Sequence, residues 1–427
     1  MYVKPSDLPD APSMALQTKS WPVFDDNVTH PGYGLEPRTL NAIFRGAEQG
    51  LLWRQADLYD DLIESDGHLR SLIESRRDAV SSKDWVIQPG APDHASIAAA
   101  ESLSRQLRDS LNFHRFVEHQ LTSPYYGFAA SEVEWGVVER EYQPIVFHNV
   151  SHRRFMLASG NQLELIVSGS KSVPLNAGQW AVSQRPHHNL ARAGLLRTAA
   201  WWALFKRMSV RDWVVFAERF GIPFAIGVYE DRAGEDAKKA LEDALAQLGN
   251  AGQVVVHEAT KIVFSDVAQR VGNTTVHFDL IKLCEAQMSK LINGATQNVE
   301  QGSSGSYAQA VVHETRAYEL ARADANALAA MFIQDVGRPF IRFNGYPEGT
   351  APPRLKMQVF QEMDPSTRSH VASRVANELG GEIDRGQLYD DLGLRLPARP
   401  EDALRGTKTA GEAKTESDAS TGPVDAE

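Results

Sequence analysis

The sequence predicts an α+β protein that is mainly helical. Apolar residues recur at helical spacing over residues 38–83, which is typical of amphipathic helices. Short β-type runs separated by turn residues follow between residues 130 and 167. Two strongly apolar helices then enclose a smaller insert, residues 222–277. With 427 residues, the chain is long enough for two or three domains of about 150 residues each.

The chain begins without regular structure and then turns helical. Residues 1–37 are rich in Pro, Asp and Gly and lack periodicity, so we expect an extended N-terminal arm. Residues 38–83 predict helices with a break near Gly50. A short strand at Trp85–Gln88 and a helix over residues 94–121 are expected next.

The β-type runs complete one α+β region over residues 38–194. Each run is rich in β-branched or aromatic residues and is bounded by turn residues. The predicted strands are Val133–Val138, Ile145–Phe147, Phe155–Leu157 and Leu163–Val167.

Residues 195–221 predict a helix that is apolar on nearly every side, and Gly221 and Pro223 follow as stop signals. A helix of this kind must be covered all round. Two interpretations are open at this point: a central core helix, or a helix packed between neighbouring subunits. The three tryptophans of this segment are more typical of packing than of base stacking. The large side chains are Trp201, Trp202, Phe205, Trp213, Phe216 and Phe220.

The insert, residues 222–277, is small and acidic, with eight acidic and five basic residues. A helix is predicted at Ala237–Leu248, followed by strands at Gln253–His257 and Lys261–Ser265. A second periodic helix, residues 278–293, carries Leu280, Met288 and Leu291 on its apolar stripe.

A polar loop without Lys or Arg follows at residues 294–306. A long helix is expected from Tyr307 to about Val336, roughly 45 Å in length, with Gly337 and Pro339 as its stop. We assign this long helix and the residues that follow it to one segment, residues 307–343. Short helices are expected over residues 360–404, and residues 405–427 are predicted to be disordered because they lack large apolar residues.

Composition excludes several classes of protein. The formal net charge of −11 argues against a protein whose main task is to grip phosphate backbones, since such grip needs clustered Lys and Arg. Cys284 is the single cysteine, which excludes an intramolecular disulfide and a thiolate metal cluster and fits synthesis in a reducing cytoplasm. Neither a signal peptide nor an apolar run long enough for a membrane helix is present, so no membrane partner is expected.

The usual signatures of catalysis are missing from the sequence. There is no Walker-type phosphate loop, and His313-Glu314 lacks the second histidine of a zinc-protease motif because position 317 is Ala. His187-His188 is the best polar pair, but without a Cys, Asp or Glu at ligand spacing it favours an ordinary solvated loop. We therefore predict a protein that is not an enzyme and holds no cofactor or metal.

Several segments, taken in order, resemble the portal proteins of Mu-like phages. No segment is decisive alone, but their order over about residues 30–400 is specific. The arm before residue 20 and the tail after residue 405 are not covered. The matching segments are His30–Arg38, Ala56–His68, Arg76-Arg77, Trp85, Leu204–Lys206, Asp212-Trp213, Glu218–Pro223, Ser306–Ala308, His313 and Asp324.

The resemblance implies the portal fold, with its wing, stem, clip and crown regions. The wing would be residues 38–194, and the two stem helices would be residues 195–221 and 278–293. The clip would be residues 222–277, the tunnel loop residues 294–306, the helix joining channel to wing residues 307–343 and the crown residues 344–404.

The resemblance also implies roles for individual residues. In the tunnel loop, the residues facing DNA would be Thr296, Gln297, Asn298, Glu300, Gln301, Ser303 and Ser304. In the stem, the subunit interface would include Trp201, Trp202, Phe205, Trp213, Phe216, Phe220, Leu280, Met288 and Leu291. In the clip, docking of terminase or adaptor would involve Glu230, Asp231, Glu235, Asp236, Lys238 and Lys239.

The function implied is a homo-oligomeric ring, usually of twelve subunits, at one capsid vertex of a virion made in a bacterial cytoplasm. Double-stranded DNA would pass through it without sequence recognition. The implied protein partners are the terminase large subunit, the major capsid protein and head-completion or adaptor proteins. Two alternatives stay open: another phage structural component such as a minor head or connector protein, and a hydrolase or nuclease whose site no motif reveals.

Overall fold

The fold is described from a computed structural model. It combines helices and strands, with helices in the majority, as the sequence predicts. The residues that the structure describes are 34–110, 112–168, 171–220, 225–229, 234–247, 253–257, 272–295, 307–359 and 365–378.

Three helices open the described chain: α1 (Pro37–Glu48), α2 (Leu52–Ser65) and α3 (Gly67–Ser81). The predicted break at Gly50 is confirmed. Gly50 has φ +108°, and an added Cβ would lie 2.5 Å from the Leu157 carbonyl oxygen, so only glycine fits there. A second break falls at Asp66, whose carboxylate accepts hydrogen bonds from the first amides of α3.

The strand β1 (Trp85–Gln88) is confirmed, and its partner is β10 (Arg354–Met357), nearly 270 residues later in the chain. The predicted helix over residues 94–121 is divided in two, because one helix ends at Arg108 and the next begins at Phe113. The helices of this region are α4 (His94–Arg108), α5 (Phe113–Gln120) and α6 (Ser123–Tyr126).

Two antiparallel three-stranded sheets follow, with strand orders β3-β2-β7 and β4-β5-β6. The four predicted strands are confirmed, and two further strands, β6 and β7, complete the sheets. The strands are β2 (Phe128–Val138), β3 (Glu141–Val150), β4 (Phe155–Ala158), β5 (Gln162–Ser168), β6 (Lys171–Pro174) and β7 (Trp180–Gln184).

The largest core cluster covers one face of the sheet β3-β2-β7 with helices from both ends of the chain. Phe116 of α5 stacks on Phe147 of β3 at a centroid distance of 4.2 Å. Phe332 and Phe340 join the same cluster and are fully buried. The later helices are therefore part of the same folded body as the first sheet.

Helix α7 (Leu196–Phe220) and helix α9 (Gly272–Asn293) enclose a small unit made of β8 (Ala225–Tyr229), α8 (Gly234–Gln247) and β9 (Gln253–His257). The helix and β9 agree with the prediction. The strand β8, which pairs with β9 in parallel, was not predicted. The predicted strand Lys261–Ser265 lies outside the described residues.

The long helix does not stop where the sequence predicts. Helix α10 (Tyr307–Phe332) passes into a π-helical turn, Ile333–Gly337, and continues as α11 (Arg338–Phe343). Pro339 has no amide hydrogen to donate into an α-helical ladder, so the chain widens to a π turn and restarts with proline in its first turn. The prediction that Gly337 and Pro339 end the helix is therefore wrong.

The predicted crown, residues 344–404, extends over parts of two compact units. Residues 344–359 belong to the first of two compact units, Met1–Phe360, because β10 pairs with β1 there. In the second unit, Gln361–Glu427, the described element is α12 (Pro365–Asn377), which ends with an Arg374–Glu378 ion pair of 3.0 Å. Residues 1–33 of the predicted arm and the tail, residues 405–427, lie outside the described residues.

Candidate functional site

Helices α7 and α9 pack against each other in antiparallel directions. The side chains of Trp213 and Phe278 lie 6.2 Å apart between ring centroids, and Ser209 donates a 3.2 Å hydrogen bond to the carbonyl of His277. Closer to residues 38–194, which we continue to call the wing as predicted, Lys206 and Glu285 form an ion pair of 2.8 Å. We call this pair of helices the stem hairpin.

Burial divides the stem hairpin into two halves. The half next to the wing is covered by the subunit itself, since Ala199, Ala203, Cys284 and Met288 expose no surface. The far half is more exposed. Of the fourteen exposed large hydrophobic side chains among the described residues, eight lie on these two helices. They are Phe205, Val210, Val214 and Val215 on α7, and Val276, Phe278, Leu280 and Leu283 on α9.

A polar network fastens the stem hairpin to the wing at Lys206. The ammonium group of Lys206 lies 3.0 Å from the Asp66 carboxylate as well as 2.8 Å from Glu285. Burial favours the neutral amine, but the hydrogen bonds and charges of the two carboxylates outweigh it and raise the pKa of Lys206. Three helices, α3, α7 and α9, are thereby joined through one ammonium group.

His68 adds a second contact between α3 and α9. Its Nε2 lies 3.2 Å from the Glu285 carbonyl oxygen and 3.0 Å from Ser289 Oγ. The carbonyl can only accept, so Nε2 carries the hydrogen that bonds both oxygens. The Ser289 hydroxyl in turn donates to the same Glu285 carbonyl at 2.9 Å.

Arg76 makes the third connection, between α3, the end of α9 and α10. Its guanidinium binds both oxygens of Asp324, at 2.7 and 3.0 Å, and also donates to the Ile292 carbonyl at 2.6 Å. The exposed fractions of the two side chains are 7% and 13%. Burial disfavours the charged guanidinium, but the hydrogen bond and charge of Asp324 outweigh it and raise the pKa of Arg76.

The predicted stem residues fall into three groups. Phe205 and Leu280 are exposed, whereas Trp201, Trp202, Trp213, Phe216 and Leu291 are partly covered. Met288 exposes no surface and packs in the core with Ile292 and Leu204, so the subunit itself covers this side chain. The side chain of Phe220 lies outside the described residues.

The other predicted sites are described only in part. In the clip, Glu235, Asp236, Lys238 and Lys239 lie on the exposed surface of α8, while Glu230 and Asp231 lie outside the described residues. Every predicted tunnel-loop residue, from Thr296 to Ser304, also lies outside them. The roles assigned to these residues stay predictions.

Several site residues were not predicted. Asp66, His68, Arg76, Lys206 and Asp324 occur in the segments that carry the family resemblance, but nothing in their spacing assigns them contacts. Glu285 and Ser289 were missed altogether. They lie one helical turn apart on α9. A sequence pattern could have revealed them, because both polar residues flank the apolar stripe that contains Met288 and do not lie on the opposite face of the helix.

The polar pair at His187 and His188 forms part of an exposed turn. The two rings stack at 4.2 Å, and Nδ1 of His187 accepts the Asn189 amide at 3.0 Å. Across the described residues, no three His, Cys, Asp or Glu side chains are arranged to hold a metal ion. None of the described helices is long and apolar enough to cross a membrane.

Comparison with known proteins identifies the family to which this chain belongs. The family model described as the portal protein of Mu bacteriophage matches residues 56–394. The Mu-like prophage FluMu protein gp29 of Haemophilus influenzae is 27% identical over 393 residues, which cover 88% of this chain and 74% of that protein. The portal protein of Escherichia phage Mu is 28% identical, over 74% of this chain and 62% of that protein, so the match spans under two thirds of its length.

Two solved structures are also similar. The neck of an empty GTA particle has a TM-score of 0.49 and 15% identity, covering 78% of this chain and 91% of that one. A portal protein of the HK97 family from Corynebacterium diphtheriae has a TM-score of 0.39 and 13% identity, with 73% and 96% covered.

The class of protein that these matches define is the phage portal protein, a structural component of the virus particle. The match over residues 56–394 takes in every described strand, the stem hairpin and the long helix α10. This chain belongs to the family of Mu bacteriophage portal proteins.

Proposed function

We propose that this chain is the subunit of a closed ring, of twelve copies, through which double-stranded DNA enters and leaves a phage capsid. The exposed apolar surface of the stem hairpin, most of it on the far half, is the observation that carries the proposal. Eight large hydrophobic side chains on two adjacent helices need a cover, and a ring supplies one, because each subunit packs a different face against its neighbour.

The charge of the chain supports a channel that releases DNA. Acidic residues outnumber basic ones, with a net charge of −11, and the loop at residues 294–306 contains no Lys or Arg to bind phosphates. Each phosphate held by a cation adds salt-dependent affinity through counterion release, which would slow a moving duplex. DNA therefore passes without sequence recognition.

The partners follow from the proposed place in the particle. The small β8-α8-β9 unit at the far end of the stem hairpin presents Glu235, Asp236, Lys238 and Lys239 to solvent. We assign this unit to docking of the terminase large subunit during packaging and of head-completion or adaptor proteins afterwards. The wing faces the major capsid protein at one vertex of the virion, and the role throughout is structural rather than catalytic.

Electron microscopy of the purified full-length chain, together with its native mass, tests the proposal. We expect end-on rings of twelve subunits with a central hole wide enough for duplex DNA. A compact monomer at every concentration would contradict the ring, and a closed ring without an open centre would contradict the DNA channel.

A further inference from the structure

The wing carries its own exposed hydrophobic side chains, in two places. Apart from the stem hairpin, the described part of the first compact unit exposes five large hydrophobic residues. Leu51 and Trp53 lie together at the start of α2, with exposed fractions of 47% and 38%. Ile97, Val137 and Val138 lie around the tip of the β2–β3 hairpin and on the neighbouring helix α4.

The second of these places surrounds an acidic cavity. A cavity of about 340 Å³ lies between α4 and the β2–β3 hairpin, and Val138 forms part of its wall. Four carboxylates line it, from Glu101, Asp109, Glu139 and Glu141, against one cation, Arg105. Ile97 lies one helical turn before Glu101, so the apolar and acidic groups share one surface.

Gln143 gives the cavity a buried hydrogen-bond acceptor without a partner among the described residues. Its side chain lines the cavity and is 4% exposed. The amide nitrogen donates to Ser102 and Glu141, but the amide oxygen has no hydrogen-bond partner. A buried acceptor without a donor is costly, so the site favours a ligand that donates hydrogen bonds and carries positive charge. The volume leaves ample room for the end of an arginine or lysine side chain, and no three side chains are placed to bind a metal in the described chain.

The exposed surface at the start of α2, around Leu51 and Trp53, supplies a positively charged group that donates hydrogen bonds. Arg54 follows Trp53, and its guanidinium carbon lies 5.7 Å from the centre of the Trp53 ring. Arg54 is exposed and makes no ion pair with another described residue. Leu51, Trp53 and Arg54, which we call the basic patch, thus present an apolar surface with a free guanidinium.

The basic patch and the acidic cavity lie at opposite ends of the first sheet. Gly50 bonds to β4, and Leu52 shares a core cluster with Phe128, the first residue of β2. The cavity lies at the other end of β2, whose 11 residues span about 33 Å. A patch and a complementary cavity on opposite sides of one subunit cannot meet within it, but they can meet head to tail between copies.

We propose that Arg54 of one subunit inserts into the acidic cavity of the next, with Trp53 and Leu51 covering Val138 and Ile97. The inference rests on the proposed ring, since a repeated head-to-tail contact closes only in such an assembly. It adds a wing contact in which each site is completed by a residue of the neighbouring copy.

Cysteine cross-linking of the full-length chain tests the contact and its direction. The variant carrying both Arg54→Cys and Glu101→Cys should form a ladder of three or more linked subunits on a non-reducing gel. Each single-cysteine variant should stay unlinked, and the native Cys284 does not interfere because it is buried. Dimers from Arg54→Cys alone would indicate a two-fold contact and overturn the proposal.

Charge reversal gives an independent test. We expect Arg54→Glu and Glu101→Arg each to weaken association roughly tenfold, and the double variant to recover most of the loss. Arg70→Glu, on an exposed position of α3 outside both patches, is the matched control and should associate like the wild type. Rings that form in the wild type but are unaffected by either reversal would overturn this wing contact alone, whereas a wild type without rings would overturn the proposed function.

Discussion

Arg76 is the residue on which the connection between wing, stem and long helix depends most. Its guanidinium binds Asp324 on α10 through two hydrogen bonds and the Ile292 carbonyl at the end of α9 through a third. The pair is almost excluded from solvent. Removal of one partner would leave the other charge buried without compensation, which costs far more than the intact pair contributes.

Asp324→Ala should therefore lower the free energy of unfolding of the subunit by about 3 kcal/mol. Urea denaturation of the full-length chain measures this value. Glu74→Ala is the control, because the Arg70–Glu74 pair is exposed and its loss should cost less than about 1 kcal/mol. Equal effects of the two variants would mean that Arg76 does not hold the three elements together.

Asp335 makes the subunit's stability depend on pH. Burial raises the pKa of this π-turn residue to about 6, although its carboxylate accepts the Val182 amide at 2.8 Å. Between the ordinary pKa of about 3.9 and the raised value of about 6, the carboxyl group of Asp335 is protonated in the folded state and ionised in the unfolded chain. The stabilising contribution is thus complete below the ordinary pKa of about 3.9 and is lost as the pH rises through 6.

Asp335→Asn should raise the free energy of unfolding at pH 7.5, by up to about 2 kcal/mol, because a neutral amide replaces a buried carboxylate and still accepts the Val182 amide. At pH 4 the variant and the wild type should be equally stable. Glu348→Gln, at an exposed position, should show no difference at either pH. Thermal unfolding at the two pH values measures this difference. If Asp335→Asn stabilised the subunit equally at both pH values, the pH dependence of stability would not come from Asp335.

Sequence reasoning could not have found these contacts. Arg76 and Asp324 are 248 positions apart, and neither occupies a position in a motif that specifies the other. Asp335 was expected only to lie near the end of a helix. The family resemblance includes Arg76 and Asp324, but their pairing follows from tertiary packing, which leaves no local pattern in a single sequence.

The stem hairpin shows what periodicity predicts at the scale of one element and what it does not. Helix α7 begins within a residue of the predicted start, whereas α9 begins six residues earlier than predicted. The apolar pattern indicated that α7 must be covered all round. It did not indicate that the subunit itself covers only the half next to the wing.

Val214→Asp should separate the role of the far half from that of the subunit's own core. Val214 is 53% exposed, so we expect the subunit to keep its helical content and its unfolding temperature, while the fraction assembled into rings falls sharply. Circular dichroism and native mass measure the two effects. Val371→Asp on α12, at 43% exposure, is a matched control that should leave rings intact. Loss of rings in both variants would show a general effect of surface charge.

The missed strand β8 has a local explanation. Ala225–Tyr229 is a short apolar run interrupted by Gly227, and such runs do not distinguish strand from helix by periodicity. Its parallel partner β9 was predicted because three consecutive valines favour a strand. The pairing of the two strands across α8 determines how the small unit folds.

For the whole molecule, the sequence predicted the order of elements better than their long-range association. The pairing of β1 with β10, with Trp85 opposite Met357, joins positions that no short motif could relate. The predicted crown, residues 344–404, therefore includes β10, which pairs with β1 in the first compact unit. Segments with strong local periodicity were predicted well, and elements that depend on distant partners were not.

The proposed passage of DNA would be a property of the complete ring rather than of one subunit. Replacement of Gln297, Asn298 and Gln301 by lysine would place three new cations per subunit in the loop that we assign to the channel. Because each bound phosphate adds affinity, we expect DNA to be packaged more slowly or to stall, and a higher salt concentration should relieve the effect. Replacement of the same three residues by serine keeps the loop neutral and should package at the wild-type rate. In a packaging assay, lysine variants as fast as the serine variants at every salt concentration would remove residues 294–306 from the path of the DNA.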